Sequence, residues 1–266
     1  MLDDTKSYKM SQSNKTLYRV IDHNERYDIT YNSNINIGNR KKNVTKFLPQ
    51  IENICSLSAT CDIKLESALR IASQYGWVLT EIQQKVRQNE ETFPLSMFLV
   101  QEEDKDEIPM RPLVDFIVKY QQEYEETGIF LDEDKGDGQY LWEGIWEIVR
   151  QQHFPNSLSR LKSCFAFKNK IDAENFKNEY DKKDNIIAEI ELKNAIIEEY
   201  DMQWITDVPI ISKMREATIF AYKYWNKEQT SHPITEILIN GNYTFKSCQR
   251  DKPCYENEIA QKVREV

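Results

Sequence analysis

The stretch Ser157-Leu-Ser-Arg-Leu-Lys-Ser-Cys-Phe-Ala-Phe167 decides how the chain reads. Its second half, residues 163–167, is a compact apolar run of strand length, and Asp172 opens a short helix that reaches Tyr180. Downstream, Ile186-Ile-Ala-Glu-Ile-Glu-Leu192 alternates apolar and polar residues from Ala188 on, the period of a half-buried strand. Residues 211–225 read as a helix. Residues 234–239 and 243–245 read as two strands joined across Asn240-Gly241-Asn242, because an Asn-Gly step supplies the positive φ that a tight hairpin demands.

Upstream the pattern is mostly helical. Leu65, Leu69, Ala72, Leu79, Ile82 and Val86 share one stripe, which predicts a single amphipathic helix over 65–88. A second helix starts at Pro112, carries Leu113, Phe116, Ile117, Tyr120 and Tyr124 on one face, and stops at Gly128. A third spans 139–152. Nearer the N-terminus, residues 17–21 form a short strand followed by a long polar loop. Helices in the middle and short strands at both ends give an α+β class, without the βαβ alternation of a parallel sheet.

Composition narrows the function. The chain has 266 residues, enough for a core that needs no disulfide staples, and its 40% hydrophobic and 30% charged content is that of a folding chain. Only seven residues are Gly, and neither the G-x-G-x-x-G nor the G-x-x-x-x-G-K-[ST] phosphate cradle occurs, which removes the usual dinucleotide-fold and P-loop readings. No apolar run reaches membrane-helix length, and residues 1–15 are a polar tail without a signal peptide's apolar stretch, so a cytoplasmic chain that makes no membrane contact is expected. The five cysteines, Cys55, Cys61, Cys164, Cys248 and Cys254, form no C-x-x-C and read as free thiols of a reducing compartment. With only His23, His153 and His232 besides, no metal centre is expected.

The net charge of −9 argues against generic polyanion binding. It is unevenly spread. Residues 1–46 hold nine Lys/Arg against five Asp/Glu, and residues 90–147 hold four against seventeen, so a basic surface is expected beside an acidic helical insert.

Three segments stand apart: Leu17-Tyr-Arg-Val-Ile21, the central stretch, and Ile234-Thr-Glu-Ile-Leu-Ile239. An Arg on an early strand, a Ser-bearing strand followed by a helix, and a Glu on a late strand, in that order, resemble the diphtheria-toxin and cholera-toxin-like superfamily of ADP-ribosyltransferases. The resemblance is to its divergent bacterial and phage branch, first catalogued as domains of unknown function. There the first strand reads Tyr-His or Tyr-Arg, here Tyr18-Arg19, and the middle element looks like Ser-Arg-Leu-x-Ser-x-Phe-Ala-Phe, here residues 159–167. Tyr224-Trp225 near a helix end and the strand 236–239 complete it.

The resemblance implies a split β-sandwich of short strands in one domain over 1–266. Its parts are the tail 1–15, a mainly helical insert at about 62–152, core strands with the NAD site at 153–247, and a C-terminal tail 248–266. It implies a mono-ADP-ribosyltransferase, a glycosyltransferase-class enzyme that cleaves NAD and passes ADP-ribose to a macromolecular acceptor, RNA, DNA or protein. The implied setting is a toxin or phage-defence effector, with an antitoxin or chaperone as a possible partner. The residue types suit that chemistry. Breaking the nicotinamide–ribose bond develops positive charge on the sugar, as in glycoside hydrolysis, and a fixed carboxylate, Glu236, stabilises it. Arg19 offers planar donors to the pyrophosphate or ribose, and Arg160 is a second phosphate ligand. Ser159 and Ser163 brace the site, with Ser157 the third candidate for the motif serine, and Tyr18 or Phe165 stacks on nicotinamide. Ile234, two residues before Glu236, replaces the acid or amide typical of arginine-modifying relatives, which disfavours arginine as acceptor. The alternative is a scaffold of this kind without turnover, serving as an interaction module.

Overall fold

The computed structural model describes residues 16–21, 35–36, 43–98, 105–129, 131, 138–179, 185–209 and 211–246. Along the chain come β1 (Thr16–Ile21), β2 (Ile35–Asn36), α1 (Leu48–Cys61), α2 (Leu65–Ser73), α3 (Tyr75–Arg87), β3 (Thr92–Pro94) and β4 (Glu107–Pro109). Then follow α4 (Met110–Thr127), α5 (Gly138–His153), β5 (Cys164–Phe167), α6 (Lys170–Glu179), β6 (Ile186–Asp201), α7 (Gln203–Thr206), α8 (Met214–Trp225) and β7 (Thr235–Phe245). The class is α+β with antiparallel sheets. The chain divides into a β unit, residues 1–40, 162–202 and 232–266, and a helical unit, residues 41–161 and 203–231.

In the β unit the strand order is β2-β7-β5-β1-β6, and β6 pairs again with β7, so β7, β5, β1 and β6 close on themselves. One face of these strands forms the core, with Leu17, Ile21, Ala166, Ala188, Ile190, Ile237, Ile239 and Tyr243 buried together. The strand predicted over 186–192 continues to Asp201. Its alternation breaks because a bulge between Lys193 and Ala195 inserts Asn194 at φ 49°, which moves the inward positions from even to odd numbers. The hairpin expected at Asn240-Gly241-Asn242 does not form. These residues lie inside one continuous strand and pair with Ile196, Ala195 and Lys193. Gly241, at φ +137°, is used here because a Cβ would sit 2.5 Å from the Asn194 carbonyl oxygen across the bulge.

In the helical unit, the helix expected over 65–88 is two. Gln74, at φ −106° and ψ 20°, leaves helical geometry and separates α2 from α3. The Pro112 helix begins two residues earlier, at Met110, and ends at Gly128, whose φ of +67° lets it close the last turn. The sequence reading placed no helix at α1, although Pro49 marks its first turn and Ile51, Ile54, Leu57 and Cys61 are buried along it. Ser58 of α1 accepts the Met214 N–H at the start of α8 and donates to the Ile63 carbonyl. Gly144 of α5 leaves the room that the Ile51 side chain fills. The Trp225 indole donates to the Trp146 carbonyl, tying α8 to α5.

Cys55, Cys61 and Cys164 are free and buried. The expected tails 1–15 and 248–266, parts of the basic stretch 1–46 and of the acidic stretch 90–147, His23, Cys248 and Cys254 lie outside the described residues. Among the described residues no helix is long and apolar enough to cross a membrane, and no group of three or more His, Cys, Asp or Glu could hold a metal ion.

Candidate functional site

Three antiparallel registers align one row of residues. Tyr18 of β1 stands opposite Phe167 of β5, Phe167 opposite Glu236 of β7, and Glu236 opposite Tyr200 of β6. Directly opposed residues project to the same side of a sheet, so these four side chains share one face. Phe165 and Glu198, both opposite Leu238, lie on that face too. It is the face away from the apolar core of the β unit. Phe176 of α6 packs on Phe167, ring centroids 5.2 Å apart, and covers part of the row.

Glu236 is only 3% exposed, and Glu198 and Tyr200 are likewise buried. The Tyr200 hydroxyl donates to Glu198 at 2.7 Å. Just before β5, Ser163 is buried, and its hydroxyl has no hydrogen-bond partner among the described residues. A buried hydroxyl without a partner costs stability, so it is a group that a bound molecule would satisfy.

Arg19 lies on the opposite face. Strand alternation places it with Leu17 and Ile21, directly across from Ala188, in the core of the β unit. Its Nη1 donates to the Tyr243 hydroxyl at 2.7 Å, its Nε to the Phe165 carbonyl at 3.3 Å, and its guanidinium lies 5.6 Å from the Tyr243 ring centroid. The strand periods therefore bring Tyr18, Phe165 and Glu236 onto one face and leave Arg19 on the other.

Ser159 and Arg160 belong to the helical unit and are both buried there. Arg160 makes a bidentate pair with Glu143, both contacts 3.0 Å, donates to the Tyr224 hydroxyl at 2.7 Å, and lies 5.2 Å from that ring's centroid. Ser159 donates to Glu147 at 2.9 Å. Glu147 also accepts from Arg150 at 2.8 and 3.0 Å and from Gln151 at 3.0 Å. Burial alone would raise the Glu147 carboxyl, but the Arg150 and Gln151 hydrogen bonds, the Arg150 charge and the Ser159 hydroxyl outweigh it and hold the group below its ordinary value.

Sequence reasoning missed Glu198 and Tyr200, because the bulge hid the second half of β6. It also missed Glu143, Glu147 and Arg150, although the spacing of 147, 150 and 151 on a helix was a signal for a side-chain cluster.

The family model described as "Protein of unknown function (DUF2441)" matches residues 17–250. No curated protein matches the chain.

Proposed function

The chain belongs to the DUF2441 family, and we propose that it is a mono-ADP-ribosyltransferase that cleaves NAD and passes ADP-ribose to a nucleic acid or protein. The observation that carries this reading is the row joining Tyr18, Phe167 and Glu236 across three neighbouring strands, with the buried Ser163 hydroxyl just ahead of the middle one. In this reading the Glu236 carboxylate faces the donor ribose and stabilises the positive charge that grows as nicotinamide departs. Tyr18 and Phe165, both half-buried, offer aromatic surface to the leaving base, and Ser163 donates its proton to a polar group of the donor. Arg19 is a positioning residue. It fixes β1 and β5 from the core side through Tyr243 and the Phe165 carbonyl. Arg160, already paired with Glu143 and Tyr224, holds its own loop against α5 and α8.

A second reading, an interaction module of the same scaffold without turnover, is favoured by the burial of Glu236 and by the protein partners of Arg19 and Arg160. One experiment separates them. Purified protein incubated with NAD releases nicotinamide, and Glu236→Gln lowers the rate by about 10²-fold or more, the scale of a lost transition-state electrostatic group. A folded Glu236→Gln variant with an unchanged rate overturns the transferase reading. No nicotinamide and no heat of NAD binding by calorimetry favour the module.

A further inference from the structure

A cleft of about 220 Å³ lies between α1 and α4 within the helical unit. The two helices run antiparallel along it. Gln50 of α1 bonds the Ile129 carbonyl and the Leu131 N–H just past α4, while Asn53, one turn on, donates to Glu123. Ser56 and Thr60 therefore stand beside progressively earlier residues of α4, where the cleft is lined by Lys119, Asp115 and Arg111, with Phe116 in its floor. Spacings of four residues put each set on one helix face, and Arg111 and Lys119 are separated by about 12 Å along the axis, at ~1.5 Å per residue.

The lining has a definite chemistry. It has a cation at each end, a carboxylate between them, and two hydroxyls on the facing helix. Ser56, Thr60, Arg111 and Asp115 are exposed, and their side chains make no hydrogen bond or ion pair among the described residues. Side chains of four kinds are thus gathered around one concavity without being used on the protein itself. A guanidinium and a hydroxyl lining one cleft are donors suited to a phosphate monoester. A carboxylate, which only accepts, matches vicinal hydroxyls. At about 220 Å³ the cleft is of a size for a small molecule.

We propose that this cleft binds a phosphorylated polyhydroxy compound of pentose phosphate size, its phosphate at Arg111 and Thr60 and its hydroxyls at Asp115. The inference is independent of ADP-ribosyl transfer. It is tested on the full chain by calorimetry with ribose 5-phosphate, adenosine 5′-monophosphate, inorganic phosphate and ribose as probes, alongside amide shift mapping by NMR. Ribose 5-phosphate binds with shifts confined to α1 and α4, and Arg111→Ala weakens it at least tenfold. Asp115→Asn weakens ribose 5-phosphate but not inorganic phosphate. Tighter binding of the monophosphate nucleotide assigns the site to nucleotides, and equal binding assigns it to free sugar phosphates. Inorganic phosphate binding as tightly as ribose 5-phosphate, shifts elsewhere in the chain, full affinity in Arg111→Ala, or no binding of any probe overturns the proposal. Both substituted residues are exposed, and circular dichroism of each variant verifies that it folds.

Discussion

The Nη1 atom of Arg19 donates a 2.7 Å hydrogen bond to the Tyr243 hydroxyl, joining β1 to β7 from inside the core of the β unit. Tyr243 is fully buried and Arg19 nearly so. A charged donor in such a place is costly once its acceptor is removed. Tyr243→Phe keeps the ring and deletes only the oxygen, so it is expected to lower stability by about 1.5–3 kcal/mol, the range for a hydrogen bond to a charged group. Urea unfolding measures this, and an unchanged midpoint removes the structural role assigned to the pair.

Gly241 faces the bulge of β6 with its Cβ position blocked by Asn194 and Ala195 backbone atoms. Gly241→Ala meets both the steric block and an unfavourable φ, with an expected loss of more than ~2 kcal/mol. Gly76→Ala, in a helix and with nothing within 4 Å of the added carbon, is the control and keeps or raises the unfolding midpoint.

Glu147 ionises more readily in the folded protein than in the unfolded chain. Its contribution is complete above the unfolded value of about 4.3 and is lost as pH falls through the lower folded value. Glu147→Gln is expected to cost roughly 3 kcal/mol at pH 7, the scale of breaking a buried ion pair. It should also flatten the loss of stability below about pH 4.3. Thermal unfolding between pH 2.5 and 7 gives both quantities, and parallel curves for parent and variant exclude this role.

Glu123 has the opposite sign. Burial pushes its carboxyl up; the Asn53 hydrogen bond opposes this, and the charges of Glu52 and Glu126 add to it. The folded state thus holds the proton longer than the unfolded chain, and stability falls as pH rises from about 4.3 through the higher folded value. Glu123→Gln keeps an acceptor for Asn53 without the charge. Its urea midpoint is expected to exceed the parent's at pH 7 and to match it at pH 3.5.

Cys55 is buried, and that burial, together with the nearby Glu52 charge, pushes its thiol far above the ordinary range. Only the thiolate alkylates. Peptide mapping after iodoacetamide at pH 8 should show Cys55 unlabelled in the native protein and labelled in urea. Rapid labelling under native conditions contradicts the placement of α1.

What the sequence disclosed follows from how local each signal is. Pro112 and Gly128 bracket α4 because both act on their own backbone, and the apolar run at Cys164–Phe167 is a strand because it is buried on both faces. The errors arose where a partner decides. Asn240-Gly241-Asn242 has the composition of a turn, yet a bulge in β6 holds it extended. The same bulge reverses the inward parity of β6, so Glu198 and Tyr200 were invisible to a period-two search. For the candidate site, the residue types at positions 18, 165 and 236 were legible, and their common face was not. Neighbouring residues of one strand point opposite ways, and only the register shows that Tyr18, not Arg19, shares its side with Glu236.

The β unit is stitched from three separated stretches of chain, and this gives its synthesis an order. β1 leaves the ribosome about 140 residues ahead of β5, its first strand partner. At translation rates of about 5–20 residues per second, that is a wait of roughly 7–28 s. Throughout it Leu17 and Ile21 lack the sheet that later buries them, while α1 to α5 emerge with most of their helical partners. The N-terminal strand is the first part of the sheet to be made, and it waits for both of its partners, β5 and β6, until more than half of the chain has followed it.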